Sequence, residues 1–295
     1  MRFGWQSEAA KSLMSQSGLD DPVQAMRAKA NELLKEIKFS HPPVNLELAA
    51  SFRGINKIVK VKAPYAAALI PMPQGNGFII QVNAEHSRGR QNFSICHELG
   101  HTFLPDYTSS PVFRQDETTG EYGIEQEEEY LCDVAAAEIL MPMKSFKPLA
   151  QKKGASIETI VYLANLFKSS LEATAIRLVQ TEIWRLAAVI WEKGLKPSQE
   201  LLKDQPSLPG FEFKPEEKLR VKFAVTSKIN FFIPKYKSID ARSSIYRCYI
   251  EGGKTAGFES WEIGGKEYSF RAESIAINYI NEGRRERKVL SLLFP

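Results

Sequence analysis

The sequence has few cysteines and no long apolar run. Only three cysteines occur in 295 residues, and no two of them are spaced as C-x-x-C. An odd, scattered set argues against a disulfide framework. No apolar stretch approaches the length that spans a bilayer, and the first residues form no apolar signal core. We therefore expect a cytoplasmic protein, and 43% hydrophobic residues suit an ordinary globular chain of two domains.

Positive charge is missing from one part of the chain and concentrated in another. No Lys or Arg lies between Gln115 and Met143. Residues 1–192 hold 20 basic and 22 acidic side chains, whereas residues 193–295 hold 19 basic and 13 acidic ones. The two parts therefore present different surfaces and are expected to meet different partners.

Histidine is also scarce, yet two of the four histidines fall within one pentapeptide, H-E-x-x-H at residues 97–101. On the predicted helix Gln91–Leu104, His97 and His101 lie one turn apart on one face. They can offer two imidazoles to one metal ion, and Glu98 can act as general base on the attacking water. This arrangement is typical of zinc peptidases.

A catalytic zinc normally has three protein ligands and one open position. The next predicted helix, Ile124–Met141, begins with several glutamates, and we select Glu129 because it borders the helix's apolar side. Asp133 follows one turn later and can accept the second ring N–H of a ligating histidine. The small residues Ala135–Ala137 allow a close helix approach. The alternatives lack this support: Glu125, Glu127 and Glu128.

Two blocks of sequence resemble the ImmA/IrrE metallopeptidases. They read R-x-x-F-S-I-x-H-E-L-G-H at residues 90–101 and E-x-x-x-D-x-x-A-x-E-I-L-M-P at residues 129–142. The similarity extends through residues 157–178. The related pattern has Ala, Asn and Phe where this chain has Cys132, Asp133 and Ala135. The resemblance includes CapP-type members of antiphage defence operons.

The resemblance implies a Zn²⁺ cofactor held by His97, His101 and Glu129, with Glu98 as general base. It also implies an unusual substrate, a partner repressor of helix-turn-helix type. Cleavage of that repressor would derepress stress-response, mobile-element or defence genes.

Several further residues are candidates for roles at this site. The polar loop 105–123 is long enough to be a lid. A second donor to the developing oxyanion is usual, and its candidates are His86, Tyr107, Tyr122 and Tyr130. Cys96 and Cys132 lie within the two sequence blocks, Cys96 next to His97 and Cys132 three residues after Glu129. They are either small buried residues, which we favour, or regulatory thiols that block the open zinc position.

The predicted fold class is α+β, in three parts. Residues 1–145 form a zincin-like metallopeptidase core with a small sheet, and residues 146–185 form a helix-turn-helix-like segment capped by Ser156 and Ser170. Residues 186–295 form an α/β sensor domain, which the family resemblance suggests is GAF-like. The spacing of apolar residues also predicts several single elements: an extended segment at 44–48, strands at 229–233 and 244–250, and a helix at 273–283.

Two parts of the chain carry cations suited to nucleic acids. The middle helices contain Lys168 and Arg177, which are few for phosphate contacts, so we favour packing there. In the C-terminal part, lysines alternate with aromatic residues, a pattern typical of single-stranded DNA binding. The alternative is a solvated strand face. The candidate contacts are Lys222, Lys228, Lys235 and Lys237.

The sequence therefore predicts a zinc endopeptidase that cleaves a repressor and is controlled by its C-terminal domain, with single-stranded DNA as the candidate signal. The alternative is a regulator without catalysis, stabilised by zinc, that binds a repressor or DNA. An intact Glu98 argues against it, because a scaffold needs metal ligands but no base.

Overall fold

The computed structural model describes residues 4–105, 107, 112–114, 124–203, 216–281 and 284–295. By packing, the chain divides into two compact units. Unit 1 runs up to Leu149 and adds Tyr162–Thr174, and unit 2 consists of Ala150–Val161 and Ala175–Pro295. The middle helices therefore contribute to both units. The three-part division at residues 145 and 185 stays a prediction.

Unit 1 combines helices with a small sheet. The sheet has the strand order β1-β3-β2-β4, with β1 and β3 parallel and the other pairs antiparallel. Its strands are β1 (Ile55–Val61), β2 (Ala67–Pro71), β3 (Phe78–Asn83) and β4 (Val112–Arg114). Its helices, including three that continue into unit 2, are α1 (Glu8–Ser17), α2 (Pro22–Glu36), α3 (Leu46–Ser51), α4 (Arg88–His101), α5 (Ile124–Leu140), α6 (Met143–Lys153), α7 (Ile157–Phe167) and α8 (Leu171–Gln180).

Short polar side chains start several of these helices. Asp21 accepts a hydrogen bond from the Val23 amide at the start of α2, with Pro22 in the first turn. The prediction of an extended segment at residues 44–48 is wrong. The Asn45 side chain accepts from the Leu48 amide and starts α3 there, and this local cap outweighs the alternation of apolar residues.

Strands β2 and β3 form an antiparallel hairpin. Leu69 pairs with Ile80, and the Met72 amide donates to the Gly77 carbonyl at 2.8 Å across a short 3-10 turn, Pro73–Gly75. Gly77 has φ +92°, and a Cβ there would lie 2.5 Å from the Gly54 carbonyl oxygen. The turn therefore requires glycine at this position.

Helices α4 and α5 pack very closely. A Cβ built on Gly100 would lie 3.0 Å from Cys132 Cα and 3.1 Å from both Ala135 Cβ and the Cys132 carbonyl oxygen. Gly100 and Ala135 are fully buried in this contact. The close approach predicted from the small residues of α5 is thus confirmed, and it brings the two metal blocks of the sequence together.

The middle helices begin as predicted. Ser156 Oγ accepts from the Thr159 amide and Ser170 Oγ accepts from the Ala173 amide, each at 3.1 Å. Arg177 is only 2% exposed, so its guanidinium is withdrawn from any phosphate at the surface. Its burial supports the packing role for these helices.

Unit 2 contains a five-stranded antiparallel sheet in the order β6-β5-β9-β8-β7. One helix packs on the sheet, where its residues Ile245 and Cys248 join a core that includes Trp191, Trp261 and Phe270. The elements are β5 (Leu186–Gly194), α9 (Pro197–Lys203), β6 (Lys218–Ser227), α10 (Ser244–Glu251), β7 (Lys254–Ile263), β8 (Lys266–Asn281) and β9 (Arg284–Phe294).

Three elements predicted for this unit are wrong. The predicted strand 244–250 is the helix α10, which starts at a Ser243 side chain that accepts from the Ile245 amide. The predicted helix 273–283 is the second half of β8, held in register by β9 from Glu273 to Asn281. The predicted strand 229–233 is irregular, because Lys228 takes φ +55° directly after β6.

Among the described residues, no helix is both long and apolar enough to cross a membrane.

The contact at Gly100 can be tested by Gly100→Ala. Alanine ordinarily favours a helix by about 1 kcal/mol over glycine, but here its methyl group meets the backbone of α5. We expect overpacking to lower the free energy of unfolding by about 1–3 kcal/mol, measured by denaturant titration. In the control Gly194→Ala, a Cβ meets nothing within 4 Å. Equal or greater stability of Gly100→Ala would contradict the close packing.

Candidate metal centre

Helix α4 places both histidines of the H-E-x-x-H motif inside the protein. His97 is 1% exposed and His101 is 5% exposed, and their ring centroids are 4.9 Å apart. Glu98, which follows His97 in the sequence, is completely buried. Burial of a carboxyl group is costly, so its occurrence beside two histidines marks Glu98 as a candidate functional residue.

Helix α5 brings Glu129 to the same ring edge of both histidines. The Nε2 atom of His97 lies 3.0 Å from Glu129 Oε2, and the Nε2 atom of His101 lies 3.4 Å from Glu129 Oε1. Ligand atoms about 2.0–2.2 Å from a tetrahedral zinc ion are roughly 3.3–3.6 Å apart. The separation at His101 lies within this range, and the one at His97 is slightly shorter. Two imidazoles and a carboxylate are a donor set that suits Zn²⁺.

The electrostatics of Glu129 follow from this position. Burial alone would raise the pKa of its carboxyl group, but hydrogen bonds and charge attraction from His101 and His97 outweigh burial and hold that pKa well below its usual range. The carboxyl group is therefore ionised at neutral pH, which is the form that binds a metal ion.

Asp133 lies one turn after Glu129 and contacts the opposite nitrogen of His97. Its Oδ1 atom is 2.8 Å from His97 Nδ1. A proton on Nδ1, donated to this carboxylate, leaves Nε2 as the nitrogen with the lone pair. The structure thus brings together His97, Glu98, His101, Glu129 and Asp133, while their catalytic and metal roles stay predictions.

Cys132 also lies at this site, and it suggests a second donor set. His97, His101 and Cys132 can each present one ligand atom within 4.8 Å of the others. The Cys132 Sγ atom, however, lies 3.4 Å from His101 Nδ1, whereas both Nε2 atoms face Glu129. We therefore favour Glu129 as the third ligand.

The pKa values of both cysteines near the site disfavour a thiolate. Burial, followed by the nearby carboxylates of Glu129 and Glu98, raises the pKa of the Cys132 thiol well above its usual value. Burial likewise raises the pKa of the Cys96 thiol. Each cysteine is completely buried, as expected for a small packing residue.

The other glutamates of α5 have different surroundings. Glu127 accepts hydrogen bonds from the amides of Gln6 at 3.0 Å and Ser7 at 2.8 Å, at the start of α1. Burial would raise the pKa of Glu127, but these hydrogen bonds lower it overall. The sequence gives no local signal for this contact, because its partners are about 120 residues apart. The Glu125 side chain lies outside the described residues.

A second contact absent from the sequence analysis holds the end of α4. Arg53 Nε donates to Thr102 Oγ1 at 2.9 Å and Arg53 Nη2 donates to the Thr102 carbonyl at 2.5 Å, one residue after His101. The guanidinium also lies 5.0 Å from the centre of the Phe103 ring. A cation at the carboxyl end of a helix is favourable. A polar cavity of about 350 Å³ adjoins Arg53, Thr102 and Phe103.

The candidate oxyanion donors are dispersed. Tyr130 packs against Trp5 with ring centroids 6.2 Å apart, and Tyr107 packs against Phe78 at 5.3 Å. The backbone carbonyl of His86 accepts from the Gln91 side chain at the start of α4. Tyr122 and most of the predicted lid 105–123 lie outside the described residues. The donor role stays a prediction for each.

The four lysines proposed for nucleic acid each have a local contact within unit 2. These are Lys222 with the Glu192 carboxylate at 3.5 Å, Lys228 with the Glu182 carbonyl at 2.6 Å, Lys235 over the Tyr236 ring at 5.2 Å, and Lys237 with the Glu262 carbonyl at 3.2 Å. Of the neighbouring aromatic residues, Phe231 packs on Phe270, whereas Phe232 is 75% exposed.

At this site, two packed helices present two imidazoles and a carboxylate. This is a donor set expected of a zincin-like metallopeptidase site. Comparison with known proteins agrees, since residues 64–179 match the IrrE N-terminal-like domain. Over that region the chain is similar to the ImmA/IrrE metallopeptidases, in agreement with the two sequence blocks.

The similarity to characterised members is partial. The chain is 28% identical over 136 residues to the radiation response metalloprotease IrrE of Deinococcus radiodurans, which is 45% of this chain and 40% of that protein. It is 28% identical over 159 residues to the IrrE of Deinococcus deserti, which is 48% of this chain and 56% of that protein. The chain thus spans about half the length of these relatives.

One solved structure is similar over nearly the whole chain. It is a Mycobacterium tuberculosis transcriptional regulator, with a TM-score of 0.55, 10% sequence identity, and coverage of 97% of this chain and 80% of that one. At this identity the likeness concerns the fold alone.

The contact between Asp133 and His97 can be tested through metal affinity. Asp133→Ala removes the acceptor of the Nδ1 proton, and loss of such a partner typically weakens metal binding about 10–100-fold. Asp133→Asn keeps an oxygen acceptor and should lose less affinity. The measurement is competition for zinc against a chelator of known affinity. If Asp133→Ala binds zinc as tightly as the unmodified protein, the hydrogen bond does not hold the ligand.

Proposed function

We propose that this chain is a zinc-dependent endopeptidase with Glu98 as general base. Its zinc ligands are His97, His101 and Glu129, the two histidines and one glutamate of a gluzincin-like site. The observation that carries the proposal is the convergence of both histidine Nε2 atoms on the Glu129 carboxylate, next to a completely buried Glu98. Similarity to the ImmA/IrrE family supports it.

The residues of the site have separate tasks in this mechanism. Zinc bound there would polarise the scissile carbonyl and lower the pKa of water. Glu98 accepts a proton from the attacking water and passes it to the leaving amine. Asp133 keeps the proton of His97 on Nδ1, and Glu129 supplies the negative ligand. Burial excludes bulk water, so the proton passes between water and Glu98 without competition from solvent.

The proposed substrate is a repressor of the helix-turn-helix type. A DNA-binding repressor is basic. Helix α5, which carries Glu129, lies in a stretch from residue 115 to residue 143 that contains no Lys or Arg. Opposite charge speeds encounter and disfavours acidic partners. Cleavage of such a repressor would derepress stress-response, mobile-element or phage-defence genes, as in the CapP-type systems that the sequence resembles.

The proposed role of the C-terminal domain is control of this activity, as a GAF-like sensor. An antiparallel sheet with a helix on one face supports a separate small domain core. Single-stranded DNA is the proposed signal, because exposed Phe232 lies between Lys228 and Lys235 in the sequence.

The alternative function is a zinc-stabilised regulator that binds a repressor or DNA without cutting. Burial of Glu98 favours the peptidase, because a scaffold would gain nothing from a buried carboxyl group beside its metal ligands.

Two isosteric variants separate catalysis from metal binding. Glu98→Gln removes the base and keeps the ligands, so zinc affinity should stay the same while cleavage of a repressor encoded beside the gene falls at least about 100-fold. Glu129→Gln removes the charged ligand, so both zinc affinity and cleavage should fall.

Cleavage is followed by gel electrophoresis, and zinc by chelator competition, with and without single-stranded DNA. If Glu98→Gln cuts at the unmodified rate, the assignment of the base is wrong. If the unmodified protein binds zinc and repressor but cuts nothing under any of these conditions, the non-catalytic alternative stands.

Binding of single-stranded DNA can be tested through its salt dependence. A labelled oligonucleotide should bind the full chain at low salt, and each lost phosphate contact should reduce the slope of log K against log salt by about 0.7. We expect such a reduction for the double variant Lys222→Gln, Lys235→Gln. The control is Lys57→Gln, Lys60→Gln, which changes two exposed lysines of β1. Absence of binding at low salt would remove single-stranded DNA as the signal.

A further inference from the structure

The two histidines of the metal centre have different partners on their second nitrogen. The Nε2 atoms of both rings face Glu129. On the other side, His97 Nδ1 lies 2.8 Å from an Asp133 carboxylate oxygen, and His101 Nδ1 lies 3.4 Å from the Cys132 sulfur. Consecutive residues of α5 therefore contact the Nδ1 atoms of the two imidazoles.

The position of Cys132 is set by the packing of the backbone. Gly100 precedes His101, and a Cβ at Gly100 would lie 3.0 Å from Cys132 Cα. The close approach at this glycine brings the sulfur within hydrogen-bond distance of the ring. Cys132 is 0% exposed and His101 is 5% exposed, so the contact is largely closed to solvent.

We propose that Cys132 is a positioning residue: its sulfur accepts the Nδ1–H of His101 and so fixes the tautomer whose Nε2 atom faces Glu129. The inference rests on the proposed zinc site. It assigns to His101 a partner equivalent to the one that Asp133 provides for His97.

The geometry favours an acceptor over a metal ligand. An imidazole that binds a metal through Nε2 carries its proton on Nδ1, and that proton requires an acceptor inside a buried site. Sulfur is a weak acceptor, and a nitrogen–sulfur separation of 3.4 Å suits a hydrogen bond to it. The sulfur lies at the Nδ1 side, and the ligand position is defined by the Nε2 atoms.

The experiment compares zinc affinity among variants of the full chain. Cys132→Ala should weaken zinc binding about 10-fold, the lower end for loss of an outer partner, because sulfur is the weaker type of acceptor. Cys132→Ser keeps a polar acceptor and should recover part of the affinity. Cys96→Ala is the matched control. It removes the same side-chain volume at a second completely buried cysteine, which lies on α4 instead of α5. Its affinity should equal that of the unmodified protein.

A second measurement distinguishes an acceptor from a ligand. In the cobalt-substituted protein, a cysteine ligand would give a thiolate-to-metal charge-transfer band, and an acceptor would give none. Such a band in the unmodified protein that disappears in Cys132→Ala would overturn the inference. Equal zinc affinity of Cys132→Ala and the unmodified protein would overturn it as well.

These outcomes are separable from failure of the proposed function. If the protein binds zinc and Cys132→Ala binds it more weakly, the inference holds even when no repressor is cut. If the protein cuts its repressor and Cys132→Ala leaves zinc affinity unchanged, the proposed function holds and the inference fails.

Discussion

The metal centre depends on how closely two helices can approach. Gly100 has no side chain, and a Cβ there would press on the backbone of α5 at Cys132. Because the backbones meet at this point, the short side chains of Glu129, Cys132 and Asp133 can reach the imidazoles of α4. A wider separation would require longer side chains, which lose more rotamer freedom when they are fixed. The glycine inside the H-E-x-x-H motif is therefore a structural requirement of this pair of helices.

The surroundings of the two helices hold this geometry from both ends. Arg53 binds Thr102 at the carboxyl end of α4, directly after His101. Glu127, two residues before Glu129 on α5, accepts a hydrogen bond from the Ser7 amide at the start of α1. Both contacts are charge-assisted, which makes each stronger than a neutral hydrogen bond. They restrain the ends of the segments that carry the ligands, and a zinc site is sensitive to shifts of well under 1 Å in ligand position.

The sequence predicted the site better than it predicted unit 2, for a physical reason. Residues one turn apart on a helix meet by local geometry, so the spacing of His97 and His101, and of Glu129 and Asp133, already implied the observed cluster. Strand β8 pairs with β9 along residues 273–281, and Ile275, Ile277 and Tyr279 alternate there with small or polar residues. This local strand signal was overlooked when a helix was predicted. Helix α10 is short and rich in β-branched and aromatic residues, and its form is decided by burial of Ile245 and Cys248. The contacts of Arg53 with Thr102 and of Glu127 with the start of α1 were missed because the partners are far apart in the sequence.

The contact between Glu127 and the start of α1 also bears on the order of events during synthesis. The amides of Gln6 and Ser7 are synthesised before the carboxylate that accepts their hydrogen bonds, which follows about 120 residues later. The Gln6 and Ser7 amides at the start of α1 are therefore hydrated until helix α5 has been made. The same helix supplies Glu129, so the hydrogen bonds at the start of α1 and the cluster of His97, His101 and Glu129 are completed at one stage of folding.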